Sequence, residues 1–258
     1  MNTDIRYIFI DLGGTFRVID EDPAYLSAAR AKIAELCGVE TDDPNKWFDE
    51  VIDTRYDKYR EWALKFMCEA PEEVLWTRWL AYDMDRERIL KNAAELTYQD
   101  RQTKGRRTVV EGGAETVKEL CKRGYTLGII SDLVGKREVD EWLDNDGLRP
   151  YFKTVQQSSI TYSRKPGPAI YYYAMEEVGA QPENCCYVGD NLNRDIVGAK
   201  AVDFGMTVAV QYNKNKPLKL TEENMPSAKI YTFPQLLDIF PACGQVAVDK
   251  LIAPNDGQ

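Results

Sequence analysis

The chain has 258 residues, 44% of them hydrophobic and 29% charged, and a formal net charge of -9. That length can bury a substantial core and suits one catalytic domain with a modest insertion. The acidity, with no basic stripe, argues against nucleic acid as a partner, and no window approaches the roughly 18 consecutive apolar residues of a membrane span.

The sequence contains no histidine. This removes Ser-His-Asp and Cys-His catalysis, phosphohistidine chemistry and His-ligated zinc together. Acid-base and metal work then fall to carboxylates, lysines and backbone, a donor set that favours a hard, oxygen-ligated ion such as Mg²⁺. The start, MNTDIRYIFID, enters a strand within a few residues and lacks the features of a signal peptide, so a cytoplasmic location is expected. Cys37, Cys68, Cys121, Cys185, Cys186 and Cys243 form no CxxC pair and read as reduced, mostly buried thiols.

The first apolar run, Tyr7 to Ile10, stops at Asp11-Leu12-Gly13-Gly14-Thr15, the pattern of a buried strand opening into a loop. From about Pro23 to Asp100 the sequence is helical, with helix starts at Asp43-Pro44 and at Ala70-Pro71-Glu72-Glu73. Strands and helices then alternate. A helix over 114–123 ends at Gly124, and a strand over 125–130 runs into Ser131-Asp132. A helix over 136–144 and a short strand near 152–155 follow. Next come a helix over 168–178 ending at Gly179 and a strand over 185–188 that delivers Gly189-Asp190. A helix over 193–201 and strands at 206–210 and near 229–231 complete the series. This alternation predicts a doubly wound parallel α/β sheet. Residues 1–16 and 107–240 are expected to form the core, 17–106 an inserted all-helical domain, and 241–258 a weakly patterned tail. Trp47, Trp62, Trp76 and Trp79 read as the insertion's own core. Ligands of such sheets bind at the carboxyl ends of the strands.

Asp11, Ser131, Lys165, and Asp190 with Asp195 all fall at strand ends or in the loops beside them. IFIDLGGTF resembles motif I of the haloacid dehalogenase-like (HAD) hydrolase superfamily, in its helical-cap, C1-type subgroup. LGIISD resembles motif II, and the stretch from SRKPGP to GDNLNRD resembles motifs III and IV. The four occur in order, each at its expected strand or loop. The resemblance implies a Rossmann-like core with a helical cap and an Mg²⁺-dependent hydrolase of a small phosphorylated metabolite. It casts Asp11 as nucleophile, with Ser131 and Lys165 completing the catalytic set. Gly13, Gly14, Ser131, Asp132 and Lys165 would hold the phosphate. Asp11, the Gly13 carbonyl and Asp190 would ligate the metal, with Thr15, Asn191 and Asp195 supporting them.

The chemistry is coherent. A carboxylate attacking phosphorus needs the phosphoryl charge neutralised, which a metal between Asp11 and Asp190 provides. Lys165 adds a cation, and Ser131 and loop N–H groups hold the remaining oxygens. Hydrolysis splits into formation and breakdown of an aspartyl phosphate. Taken singly, each residue has a plainer reading: Asp11 as a turn residue, Ser131 as a helix cap, Lys165 as a solvated loop lysine, and Asp190 and Asp195 as caps.

One position departs from the pattern. Most phosphatases of this superfamily have a second aspartate two residues after the nucleophile, and this chain has Gly13. A glycine cannot transfer a proton, and general acid-base catalysis is commonly worth about 10²–10⁴-fold. Asp20, Glu21 or Asp22 could act as surrogates, or the substrate could have a good leaving group such as an acyl phosphate. A phosphonate hydrolase using Lys46, Lys58 or Lys65 is an alternative, as is a catalytically impaired phosphate-binding or regulatory protein. IDLGGTFRV also resembles an actin-fold sugar-kinase phosphate loop, but no second such loop follows. A monomer or weak homo-oligomer without membrane association is expected.

Overall fold

Four-residue β1 (Tyr7–Ile10) is buried on both faces because its side chains alternate between two apolar layers. Ile8 and Ile10 pack with Val117, Leu120 and Val188 on one side, and Phe9 packs with Ile170, Tyr171 and Ala174 on the other. The structure, a computed structural model, describes residues 4–242. The strands after β1 are β2 (Arg17–Asp20), β3 (Arg106–Val109), β4 (Thr126–Ser131), β5 (Phe152–Gln157), β6 (Cys185–Gly189), β7 (Met206–Val210) and β8 (Ala228–Ile230). Six of them form one sheet in the order β5-β4-β1-β6-β7-β8, with every neighbouring pair parallel. Central β1 therefore lies between β4 and β6, and the carboxyl ends of these three strands open on one edge.

The helices Gly113–Lys122 and Ala169–Val178 cover opposite faces of the sheet, their buried residues falling in different apolar clusters. The second ends at Gly179 in the left-handed conformation, φ 66°. Two expected boundaries shift. The helix expected over 136–144 is Glu138–Asn145, and the Lys136 N–H ahead of it donates to Glu72 Oε1 at 3.2 Å. The helix expected over 193–201 opens as a π-helical turn, Leu192–Ile196, before its α-helical part, Val197–Ala201.

Between β2 and β3 lie the helices Pro23–Cys37, Thr54–Phe66 and Arg86–Gln102, with shorter helical pieces between them. Asp43 caps its helix as expected, accepting from Lys46 N at 3.0 Å. This layer has its own core: Trp76 is fully buried, Trp47, Trp62 and Trp79 pack around it, and Val134 enters from the loop after β4. The antiparallel β2–β3 ladder, with Arg17 opposite Val109 and Asp20 opposite Arg106, was not anticipated. Each strand has only four residues, half of them charged in β2, so neither carries an apolar period to read. The ladder ties together the two chain crossings between sheet and helical layer. All but the first two residues of the expected 241–258 tail, including Cys243, lie outside the described residues.

Candidate active site

Asp11 follows β1 directly, its N–H donating to Val188 O of β6 at 2.9 Å. Ser131 ends β4, and Asp190 follows β6. Lys165 comes from the loop before the Ala169–Val178 helix, where its N–H is fixed by Asp132 Oδ1 at 3.0 Å. These separate segments meet at the carboxyl edge of the sheet. Ser131 Oγ donates to Asp11 Oδ1 at 3.2 Å. Lys165 Nζ donates to Asp11 Oδ1 at 2.7 Å, to Asp195 Oδ1 at 2.6 Å and to Tyr187 Oη at 2.7 Å. All three ammonium hydrogens are thus used, and Lys165 is only 1% exposed. Burial alone would lower its pKa, but the charges of Asp11 and Asp195 outweigh that and raise it, so the lysine is held as a cation.

The carboxylates of Asp11, Asp190 and Asp195 each bring an oxygen within 4.8 Å of the others, an arrangement able to hold a cation. Asp195 has both oxygens occupied, Oδ1 by Lys165 and Oδ2 by the Asn191 N–H at 2.9 Å. Asp190 is looser, with Thr15 Oγ1 3.4 Å from its Oδ1. Burial and then the nearby Asp11 charge push Asp190 up to about 6. Oxygen donors crowded together without enough positive charge match a hard divalent ion. Gly14, at φ 80°, permits this geometry, since a Cβ there would stand 2.5 Å from Asp190 Oδ2.

The Leu12–Arg17 turn closes on itself. The N–H groups of Thr15, Phe16 and Arg17 all point to Leu12 O, and the Gly14 N–H donates to Arg17 O at 2.9 Å. The Gly14 N–H expected to hold phosphate therefore has an internal partner. Among the described residues, the N–H groups of Leu12 and Gly13 have no acceptor. At Gly13 a Cβ would meet nothing within 4 Å, so the space beside this residue is open. Of the surrogate acids, Asp22 is committed to capping the next helix, accepting from Ala24 N and Tyr25 N at 3.1 Å. Asp20 and Glu21 lie exposed at and just beyond the far end of β2.

Sequence reading missed several neighbours. Tyr187 stands in β6, takes the Lys165 bond and donates to Ile130 O at 2.7 Å. A tyrosine in an otherwise apolar buried strand needs a partner for its hydroxyl, which was the available signal. Arg164, beside Lys165, forms a buried ion pair with Glu69 of the helical layer, and Ser158 Oγ donates to Glu69 at 2.7 Å. Arg194 also lies at the site, its Nη1 3.8 Å from Asp132 Oδ2. The described cysteines are free thiols, and burial pushes Cys37 and Cys185 up to about 12.

A six-stranded parallel sheet with an aspartate at the end of its central strand, and a serine, lysine and acidic pair brought to it from later loops, defines a class of hydrolases. The chain belongs to the haloacid dehalogenase-like hydrolase family, whose profile matches residues 5–203. It is 35% identical over 130 residues to the glyceraldehyde 3-phosphate phosphatase of Pyrococcus furiosus, covering 50% of this chain and 53% of that protein. It is 29% identical over 148 residues to phosphoglycolate phosphatase 1 of Pseudomonas aeruginosa, covering 57% of this chain and 51% of that protein. These matches thus span about half of each relative's length. Among solved structures, a 2-haloacid dehalogenase from Pseudomonas syringae pv. Tomato superposes with a TM-score of 0.67 at 20% identity, over 91% of this chain and 97% of that one. At that identity the likeness is one of fold. No helix among the described residues is long and apolar enough to cross a membrane.

Proposed function

We propose that this protein is a Mg²⁺-dependent phosphatase of a small phosphorylated metabolite, with Asp11 as its nucleophile. The observation that carries the reading is the meeting of Asp11, Ser131, Lys165 and Asp190 at the ends of β1, β4 and β6. Relatives named as phosphatases of glyceraldehyde 3-phosphate and phosphoglycolate favour a phosphate monoester. The dehalogenase likeness adds fold alone, and the acidic pair argues for a metal that such chemistry does not need.

In the proposed reaction an Asp11 carboxylate oxygen forms a bond to phosphorus as the bond to the leaving oxygen breaks. Water then attacks phosphorus, the aspartyl bond breaks, and inorganic phosphate leaves with the carboxylate regenerated. Lys165 and Ser131 fix Asp11 through Oδ1, and the Leu12 and Gly13 N–H groups are left to receive the transferred phosphoryl group. Asp195, Tyr187 and Asp132 hold Lys165 in place. A divalent cation on Asp11 and Asp190 would supply neutralisation of the phosphoryl charge. Thr15 supports Asp190, Asn191 supports Asp195, and Gly14 admits Asp190 rather than donating an N–H.

Gly13 provides no proton for the leaving oxygen, so esters with basic leaving groups are expected to turn over slowly. The phosphonate alternative requires a desolvated amine for a Schiff base, whereas Lys46, Lys58 and Lys65 are all exposed. Phosphate release from acetyl phosphate, p-nitrophenyl phosphate and sugar phosphates, with Mg²⁺ or chelator, tests the proposal. Release that requires Mg²⁺ and vanishes in Asp11→Asn is expected. Activity that survives Asp11→Asn would sink the mechanism, and activity appearing only in Gly13→Asp would mark a phosphate-binding protein without turnover.

A further inference from the structure

Arg194 is a cation at the site whose hydrogen-bonding capacity is unspent. Its backbone is pinned at both polar atoms: the N–H donates to Asn191 Oδ1 at 3.0 Å, and the carbonyl accepts from Tyr171 Oη at 2.6 Å. The π-helical turn over Leu192–Ile196 therefore sets where its side chain leaves the backbone, and such turns recur at functional sites. Yet among the described residues its guanidinium makes no hydrogen bond. Nε is buried without a partner, and the Asp132 Oδ2 contact at 3.8 Å is too long to be one. Arg17 and Arg164 are also buried, and although each has an Nε without a partner, both donate through their terminal nitrogens.

The Arg194 side chain is 31% exposed, whereas that of Arg164 is 9% exposed, so Arg194 is the one reachable by solute. Asp132, which it approaches, also holds the Lys165 N–H at 3.0 Å, which puts Arg194 beside the candidate site rather than on a remote surface. Asp132 Oδ2 is itself buried without a hydrogen-bond partner, and Arg164 Nη2 also stands near it, at 3.6 Å. A second cation, Arg164, therefore stays near Asp132 when Arg194 turns to an incoming anion.

We propose that Arg194 is a specificity residue that binds a second anionic group of the substrate, a carboxylate close to the phosphate ester. This rests on the phosphatase reading above. The transferred phosphoryl group already has the Leu12 and Gly13 N–H groups and the nearby charge of Lys165. A planar guanidinium matches a carboxylate with two parallel hydrogen bonds, which an ammonium cannot do. The preferred substrate would then be a phosphorylated short-chain acid rather than a phosphorylated aldehyde or sugar.

The test is calorimetric, so it reads binding whether or not the ligand is turned over. Asp11→Asn protein with Mg²⁺ is titrated with 2-phosphoglycolate and with ethyl phosphate, which lacks the carboxylate. Each titration is repeated with Arg194→Met and Arg194→Lys added to that background. A charge-assisted hydrogen bond is worth about 1.5–3 kcal/mol, so Arg194→Met should weaken 2-phosphoglycolate by about 10- to 100-fold. Ethyl phosphate should change by less than about threefold, since it has no group for Arg194, and Arg194→Lys should fall between. Equal weakening of both ligands would overturn the proposal by moving Arg194 to the transferred phosphoryl group. Equal affinity of the Arg194 protein for both ligands would also overturn it, leaving the phosphatase reading intact. Failure of both ligands to bind would defeat that reading as well.

Discussion

The Lys165 ammonium donates to Asp11 Oδ1 at 2.7 Å in a space where the two side chains are only 1% and 7% exposed. Asp195 closes the other side at 2.6 Å. A buried charge with its partner removed typically costs about 3–5 kcal/mol. Lys165→Met, which leaves two buried carboxylates facing each other, should therefore lower the unfolding free energy by about 3 kcal/mol or more. Urea denaturation measures the loss, and phosphate release should vanish with it. A variant that kept its stability would show that the carboxylates simply take up protons.

Gly13 allows the reverse experiment. Because a Cβ there would meet no atom within 4 Å, Gly13→Asp should fold normally, with a melting temperature within a few degrees of the native value. If the missing acid limits turnover, the variant should raise release from alkyl phosphates by about 10²–10⁴-fold while changing acetyl phosphate much less. Equal effects on both would show that leaving-group protonation is not the limiting step.

Asp100 predicts a pH dependence away from the candidate site. It is buried, its Oδ1 has no hydrogen-bond partner, and burial pushes its carboxyl from 3.8 up to about 6. A carboxyl raised in the folded state binds a proton there that the unfolded chain has already released. Its contribution is therefore favourable below about pH 4 and is lost as the pH climbs to about 6. Asp100→Asn should stabilise the protein at pH 7 by up to about 3 kcal/mol, with the difference closing near pH 4. Denaturation of both proteins from pH 4 to 8 would show this. A difference that ignores pH would mean Asp100 is not the titrating group.

Glu69 ties the helical layer to the lysine loop. It accepts from Arg164, from Tyr59 and from Ser158, all buried. Glu69→Gln and Arg164→Met should each destabilise the protein by about 3 kcal/mol. The double variant should lose clearly less than the sum, a coupling that a double-mutant cycle measures. Strict additivity would mean the two side chains act independently.

Much of this architecture was legible in the chain itself. Strands β1, β4 and β6 could be read because apolar residues fill both faces of a central parallel strand and stop abruptly at Asp11, Ser131-Asp132 and Gly189-Asp190. The helical layer was readable from an unbroken stretch without strand signals, and Trp76 lies in its core as expected. Asp11, Ser131, Lys165, Asp190 and Asp195 could be singled out because each falls where a strand ends or a loop turns back.

Only the tertiary structure decided how polar groups pair across distant segments. Nothing local to Tyr187 indicates that its hydroxyl meets Lys165, or near Glu69 that it meets Arg164. Nor could the sequence say that Gly14 spends its N–H inside its own turn, or that β2 and β3 join. The physical reason is that local pattern records burial, which repeats along an element every two or 3.6 residues. The partner of a buried polar group depends instead on which remote segment the packed core brings within hydrogen-bond distance. Composition excluded histidine chemistry outright, but the unspent guanidinium of Arg194 became visible only once every neighbouring acceptor had a position.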